Sequence, residues 1–163
     1  MGMDVHGLKP KENKTLKDFP ILKKYREMEF RKKLKELEDN PKIQEKYWKE
    51  TEDFENANPG VYFRNNCWWW RPLWNFCYNV APDLISDELH DNGHGNSGAG
   101  LDDKDAKLLG DYLFTAIADG TVDKFKKWHE DQEKDEKYKY PFDVDNVKRF
   151  AEFCMESGGF EIC

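Results

Sequence analysis

The stretch YFRNNCWWWRPLWNFCYNVAPDLISDELHDNGHGNSGAGLDD, residues 62 to 103, decides how this chain folds and contains its most unusual residues. It holds four of the six tryptophans, two of the four cysteines, two of the four histidines and a glycine-rich segment. Aromatic side chains bury a large area each, so they can form a compact core with few aliphatic residues. We therefore expect this stretch to supply both the centre of the core and any binding site.

Around this stretch, the composition is that of a globular protein. The chain has 163 residues, 38% hydrophobic and 36% charged, which fits a single domain, residues 1–163, with solvated helices. It opens with no basic, apolar leader, and no run approaches the roughly 20 apolar residues that span a bilayer. The four cysteines have no zinc-ribbon spacing. We predict a cytoplasmic protein with free buried or terminal thiols and no membrane partner.

The net charge of -7 is unevenly distributed along the chain. Residues 11–57 are nearly neutral, with 13 Lys and Arg against 12 Asp and Glu, whereas residues 58–163 have 12 against 20. A surface that follows a nucleic-acid backbone needs clustered Lys and Arg. The acidic balance of the central and C-terminal part therefore argues against a nucleic-acid polymer as partner, although a single small anion could still bind.

Residues 11–57 read as an inserted, charged helical hairpin. Apolar residues recur at helical spacing among dense charges of both signs, and Asn40-Pro41 interrupts the pattern. One interpretation is an arm that binds a partner protein, and the other is a solvated insertion stabilised by salt bridges. The sequence leaves both open.

The rest of the chain predicts an α+β fold that is predominantly α-helical. A small helical domain carries a minor sheet made from the two termini, residues 3–6 and 160–163. A helix is expected from about Pro72 to Val80, with an earlier start capped by Asn65 or Asn66 left open, and residues 81–100 are expected to be mainly loop. Three further helices follow, capped by Asp102 or Asp103, by Thr121, and by Asp143 or Asp145. Their inward stripes include Ala106, Leu109, Leu113, Val122, Phe125, Trp128, Val147 and Phe150.

Three consecutive tryptophans, residues 68–70, cannot all face one core. Neighbours on a helix lie about 100° apart and neighbours on a strand alternate faces, so at least one indole must point elsewhere. An exposed indole stacks on purines or cations, and the guanidinium of Arg64 or Arg71 can grip a phosphate or carboxylate. The alternative is that these rings pack beneath neighbouring loops.

The segment HDNGHGNSGAGLDD, residues 90–103, offers two further chemistries. Its glycines precede a helix start, where backbone N–H groups can approach an anion, although the pattern matches no known phosphate-binding loop. His90 and His94 with Asp91 could ligate a metal or act as acid and base. The Asn-Gly pair between the histidines makes a helix improbable there and no third ligand has a diagnostic spacing, so we expect hydrogen-bonding or surface histidines, no metal, no cofactor and no assigned catalytic residue.

We therefore predict a protein that binds a small metabolite or a nucleotide. An enzyme of the hydrolase type using His90 or His94 is the first alternative, and a protein-interaction module acting through residues 11–57 is the second. The predicted ligand-binding residues are Arg64, Asn65, Asn66, Trp68, Trp69, Trp70, Arg71, His90, Asn92, His94, Asn96 and Ser97.

Several motifs together resemble a set of small proteins encoded by bacteriophages and bacteria. They are MGMDV at residues 1–5, YFRNN at 62–66, WWWRPL at 68–73, Asn92-Gly93, Gly100-Leu101 and GGFE at 158–161. The relatives are much shorter where this chain has residues 11–57. The resemblance implies a phage or bacterial setting, in which such a protein could sequester a signalling nucleotide of host defence. It carries over no catalytic residue.

Overall fold

The computed structural model describes residues 2–132 and 140–163. The chain forms two compact units, one made of residues 12–58 and the other of residues 1–11 with 59–163. Over the described residues the fold is α+β and predominantly helical, as predicted. None of the helices in these two ranges is long and apolar enough to cross a membrane.

The larger unit contains a four-stranded antiparallel sheet. Its strands are β1 (Gly2–Gly7), β2 (Tyr62–Asn66), β3 (Ala99–Asp102) and β4 (Gly159–Ile162), in the order β2-β1-β4-β3. The predicted pairing of the two terminal strands is confirmed, with Val5 opposite Ile162. The two outer strands come from the central stretch and were not predicted, because each is short and β3 begins with Ala-Gly.

Within residues 67–132 and 140–163, the structure describes five helices after β2. They are α4 (Cys67–Val80), α5 (Asp87–Asn92), α6 (Asp103–Ala118), α7, described over Thr121–Gln132, and α8 (Val144–Glu156). Asp102 caps α6 by accepting from the backbone of Asp105, and Asp143 caps α8 by accepting from the backbone of Asn146. Both caps are among those predicted.

Helix α4 begins five residues before the predicted start at Pro72. The side chain of Asn66 caps it by accepting from the backbone N–H of Trp69 at 3.1 Å. Pro72 therefore lies inside the helix, where its missing N–H leaves one hydrogen bond unmade. Trp70 and Trp74, one turn apart, stack with ring centroids 5.4 Å apart and are both fully buried, and this packing offsets the loss.

The core of the larger unit is rich in aromatic rings. Phe150 of α8 meets Trp70 edge-on at 5.5 Å and Phe63 of β2 at 5.0 Å. The predicted stripes of α6 and α8 lie in this core. Cys77 and Cys154 are buried thiols, Cys163 is exposed and no disulfide forms, which confirms the expected free cysteines.

The smaller unit, residues 12–58, contains α1 (Pro20–Arg26), α2 (Phe30–Asp39) and α3 (Pro41–Ala57). A hairpin of two helices was predicted here, and this count is wrong because the first predicted helix breaks at residues 27–29. Glu29 caps the helix that begins after this break, because its carboxylate accepts from the backbone N–H groups of Arg31 and Lys32.

Asn58 joins the two ends of this smaller unit. Its side chain is fully buried, and Oδ1 accepts from the backbone N–H of Asn13 at 2.7 Å and of Lys14 at 3.1 Å. Its Nδ2 donates to the carbonyls of Lys14 and Phe54, both at 2.9 Å. One side chain therefore satisfies polar groups on both segments at the base of the unit.

Candidate functional site

The larger unit contains a cavity of about 680 Å³. It lies between α4, α5 and α7, and Tyr140 closes part of its wall. The candidate site is formed by nine of the lining residues: Arg71, Asn75, Tyr78, His90, His94, Phe125, Trp128, His129 and Tyr140.

The histidine-bearing segment is helical where a loop was predicted. Ser86 caps α5 by accepting from the backbone N–H of Leu89 at 3.2 Å, and the helix continues to Asn92. His90 therefore lies in the last turn, and His94 follows just beyond the helix end. The Asn-Gly pair ends the helix without separating the histidines, and their imidazole centroids lie 4.7 Å apart.

Two buried indoles hold this segment against α4. Trp74 Nε1 donates to the carbonyl of His90 at 3.0 Å, and Trp70 Nε1 donates to the carbonyl of Gly93 at 2.7 Å. A Cβ atom at Gly93 would lie 2.3 Å from Trp74 Nε1, so only glycine allows this approach. Trp70 and Trp74 therefore hold the histidine-bearing segment in place through these hydrogen bonds, and neither indole lines the cavity.

Three polar atoms of different side chains converge at the cavity. Asn75 Oδ1 lies 2.8 Å from His90 Nε2 and 3.1 Å from His94 Nε2, and the two Nε2 atoms are 3.2 Å apart. We call these atoms the Asn75–His90–His94 triangle. Tyr78 supports it, because its ring stacks on His90 at 4.3 Å and its hydroxyl donates to Asp87 Oδ1 at 2.6 Å.

Electrostatics favour a neutral His94. Burial lowers the pKa of this imidazole, and the nearby His90 and Arg71 lower it further, against a smaller opposing effect of Asp91. Its Nδ1 is buried and has no hydrogen-bond partner among the described residues. Asp91 lies 3.7 Å from Nδ1 of His90 and is itself largely exposed.

The wall formed by α7 and Tyr140 is aromatic, and Arg71 of α4 contacts it through Tyr140. Trp128, predicted to face inward, is instead 55% exposed and lines the cavity with Phe125. His129 is held by an Nε2 contact of 2.8 Å with the carbonyl of Tyr140 and stacks on Phe125. Arg71 Nη1 donates to the Tyr140 hydroxyl at 3.3 Å.

Of the predicted ligand-binding residues, the structure brings Arg71, His90 and His94 together in this cavity. Four others, Arg64, Asn65, Asn66 and Trp69, line a separate groove of about 320 Å³ that also contains Asn146. There Asn65 and Asn146 exchange two amide hydrogen bonds of 3.0 and 2.8 Å and are both buried. The side-chain amide of Asn65 is therefore engaged in these buried contacts.

The remaining predicted residues lie elsewhere. Trp70 is fully buried in the core, and Trp68 is 51% exposed beside Tyr140. Asn92 ends α5, and Asn96 and Ser97 lie in the turn that follows. There Ser97 Oγ donates to the Asn92 carbonyl at 2.8 Å, and Asn96 Nδ2 contacts the Gly2 carbonyl at 3.4 Å.

The glycine-rich segment does not form an anion-binding loop. Part of it is strand β3, and a Cβ atom at Gly100 would lie 1.7 Å from the carbonyl oxygen of Phe160 in β4. The absence of a side chain at Gly100 therefore allows β3 to pair with β4. The carboxylate of Asp102 occupies the start of α6.

Sequence reasoning missed six of the nine residues that form the candidate site. On α4, Asn75 lies four residues after Arg71 and Tyr78 three residues after Asn75, a signal that could have placed them on one helix face with Arg71. The other four come from a distant part of the chain and had no local signal; they are Phe125, Trp128, His129 and Tyr140.

No protein-family model, curated protein or solved structure matches this chain. Its function must therefore be argued from the cavity.

Proposed function

We propose that this protein binds a small ligand that combines a flat heteroaromatic ring with an anionic group, a nucleotide being the nearest common example. The observation that carries this proposal is the lining of the 680 Å³ cavity. The described lining residues include four aromatic side chains other than histidine and one arginine, but no carboxylate, although the whole chain has a net charge of -7. Ligand sites of about 300–1,000 Å³ with an apolar wall and few polar groups are typical for molecules of this size.

The aromatic wall supports a ring-bearing ligand. Trp128 leaves more than half of its surface in water, and Tyr78 and Tyr140 line the same cavity. Stacking a base on an aromatic side chain contributes about 1–3 kcal/mol and tolerates any base because each has a π face. The wall therefore suits a nucleobase and does not define which one.

Arg71 supports the anionic part of the ligand. A guanidinium has five N–H donors, and the Tyr140 hydroxyl accepts from one of them. The other donors can form a bidentate contact with a phosphate or carboxylate, which is stronger than a neutral hydrogen bond. A neutral nucleoside should therefore bind more weakly than its phosphate.

Thermal unfolding with a nucleotide panel tests the proposal. A ligand that binds only the folded state stabilises it by about 2.7 kcal/mol at a hundred times its dissociation constant, so the midpoint temperature should rise. The panel pairs each nucleoside with its monophosphate and includes cyclic nucleotides, because the phage resemblance suggests a signalling nucleotide. Absence of a shift across the panel would contradict the proposal.

Two variants make this test specific. Arg71→Gln should abolish the preference for the phosphate over the nucleoside, whereas Arg149→Gln, in the separate groove, should bind as wild type. If both variants bind alike, the ligand does not lie beside Arg71. Analysis of the recovered ligand distinguishes sequestration from the hydrolase alternative, because an enzyme would return a changed molecule.

A protein-interaction role of residues 12–58 is a second candidate. Phe30 is 67% exposed on α2, Leu34 follows one turn later at 43%, and Trp48 on α3 is 58% exposed. Large apolar side chains in water often mark contact surfaces. Sedimentation over a concentration series, comparing wild type with Phe30→Ser, tests the simplest partner, a second copy of the chain; identical monomeric behaviour of both proteins would count against self-association.

A further inference from the structure

The contacts within the Asn75–His90–His94 triangle cannot all be hydrogen bonds. Three contacts of 2.8–3.2 Å connect three atoms, so each atom faces two others. An imidazole Nε2 is either a donor or an acceptor, and an amide oxygen only accepts.

Every arrangement of protons leaves at least one contact unfavourable. If both Nε2 atoms carry hydrogen, Asn75 accepts twice but the two N–H groups oppose each other. If only one carries hydrogen, the bare nitrogen faces the lone pairs of the amide oxygen. If the amide is turned so that its NH₂ points inward and donates to both rings, two bare nitrogens oppose each other at 3.2 Å.

A cation above the plane of the triangle removes this conflict, because all three atoms can direct lone pairs at it. We propose that Asn75, His90 and His94 bind a divalent transition-metal ion such as Zn²⁺ or Co²⁺. This site goes beyond the proposed function and does not depend on it.

The dimensions of the triangle suit such an ion. Bonds of about 2.0–2.1 Å place ligand atoms about 2.9 Å apart at right angles and about 3.4 Å apart in a tetrahedron. The observed edges of 2.8, 3.1 and 3.2 Å fall close to this range. Two imidazoles favour zinc, cobalt, nickel or copper over magnesium and calcium, which prefer oxygen ligands.

The surroundings also favour a site that is ready to bind. His90 is fixed by the Tyr78 ring and by the Trp74 hydrogen bond to its own carbonyl. Three protein ligands leave further coordination positions open, as in sites that also hold water or a substrate group.

Two features predict a modest affinity. No three His, Cys, Asp or Glu side chains among the described residues could hold a metal, so the third ligand here is a neutral amide. His94 Nδ1 also has no partner within the described ranges, whereas a ligating histidine normally donates from its other nitrogen. Loss of such an outer partner costs about 10–100-fold in affinity.

The test titrates the chelator-treated, full-length protein with Co²⁺ alone, followed by absorption, and with Zn²⁺ alone, followed by calorimetry. We expect one ion per chain and a visible cobalt spectrum with nitrogen ligands. His90→Ala and His94→Ala should each weaken binding by roughly tenfold or more, since each removes a ligand. His129→Ala is the matched control, because His129 lines the same cavity outside the triangle, and it should bind as wild type.

Asn75→Asp keeps the test decisive if a histidine variant does not fold. Asn75 is exposed, so the change should leave the fold intact, and a carboxylate should bind the ion several-fold more tightly than the amide. The proposal is overturned if wild type binds neither ion, if Asn75→Asp binds no more tightly than wild type, or if His129→Ala weakens binding as much as His90→Ala does.

Discussion

Trp74 Nε1 donates a 3.0 Å hydrogen bond to the backbone carbonyl of His90, so a core tryptophan sets the position of a cavity histidine. The link matters because α5 is a short helix with no buried residue of its own. The position of α5 depends on contacts from α4. A substitution that disturbs the buried tryptophans of α4 should therefore shift the cavity histidines.

Trp74→Phe should destabilise the protein by about 1–3 kcal/mol, because the carbonyl of His90 loses its partly buried hydrogen bond from the indole N–H. Urea unfolding monitored by circular dichroism gives the free energy of unfolding. Trp68→Phe is the control, since Trp68 is half exposed and donates no such bond among the described contacts, and it should change stability little. Equal stability of wild type and Trp74→Phe would show that the bond does not stabilise the fold.

Gly93→Ala should destabilise the protein by about 1–3 kcal/mol, because the added methyl would overlap the buried indole of Trp74. Gly95→Ala is the matched control, two residues along the same turn. Its new Cβ atom would have no neighbour closer than 3.9 Å, and it should be neutral or slightly stabilising. Similar thermal midpoints for the two variants would contradict the close approach at Gly93.

Asn146→Leu should destabilise the protein by about 1–3 kcal/mol, because it leaves Oδ1 of the buried Asn65 without its donor. The double variant Asn65→Leu/Asn146→Leu removes both amides, so its loss should be smaller than the sum of the two single losses. A double-mutant cycle by chemical denaturation measures this coupling, expected at about 0.5–3 kcal/mol. Additive losses would mean that the two amides act independently.

Stability should fall on mild acidification through His94. Its folded pKa lies below the ordinary value of 6.5, owing to burial and to His90 and Arg71, with Asp91 opposing. Below pH 6.5 the unfolded chain therefore binds a proton that the folded protein does not, and the free energy of unfolding decreases as the pH falls towards the folded pKa.

The measurement compares wild type with His94→Asn by urea unfolding between pH 7.5 and 5.5, with a chelator present. Wild type should lose more stability over this interval than the variant does. Parallel curves would show that the His94 pKa is the same in both states.

The buried thiols should be unreactive in the native protein. Burial raises the pKa of Cys77 and Cys154 well above that of a free thiol, so almost no thiolate is available. Labelling with iodoacetamide followed by mass spectrometry should modify these two cysteines only after unfolding. Native modification of Cys77 would contradict its burial.

Features with a local or periodic signal were predictable from the sequence. The terminal strands were recognised by their β-prone residues, and α6 and α8 by their apolar stripes and their capping aspartates, Asp102 and Asp143. These features depend on residues close together in the chain. Composition and helix caps were therefore sufficient to predict the class of fold.

The site itself was less predictable because tertiary contacts outweigh local preference there. The segment before Gly93 has weak helical propensity. Trp74 nevertheless donates to the carbonyl of His90 and Trp70 to the carbonyl of Gly93, and these hydrogen bonds favour the turn that pairs the histidines. Trp128 has the spacing of a core residue but is 55% exposed and lines the cavity. Neither effect has a signature within a short window of sequence.

The Asn58 side chain has a consequence for how the sheet forms. Strands β1 and β2 are antiparallel neighbours, yet residues 12–58 separate them in the chain. Closing a flexible loop costs about 0.6 kcal/mol for each doubling of its length, so an unfolded insertion would penalise this strand pair by about 2 kcal/mol relative to a tight turn. Once the Asn58 side chain is hydrogen-bonded to Asn13 and Lys14, the two ends of the insertion are already close together. The effective loop between β1 and β2 is then short. Folding of the insertion thus lowers the entropic barrier to pairing β1 with β2.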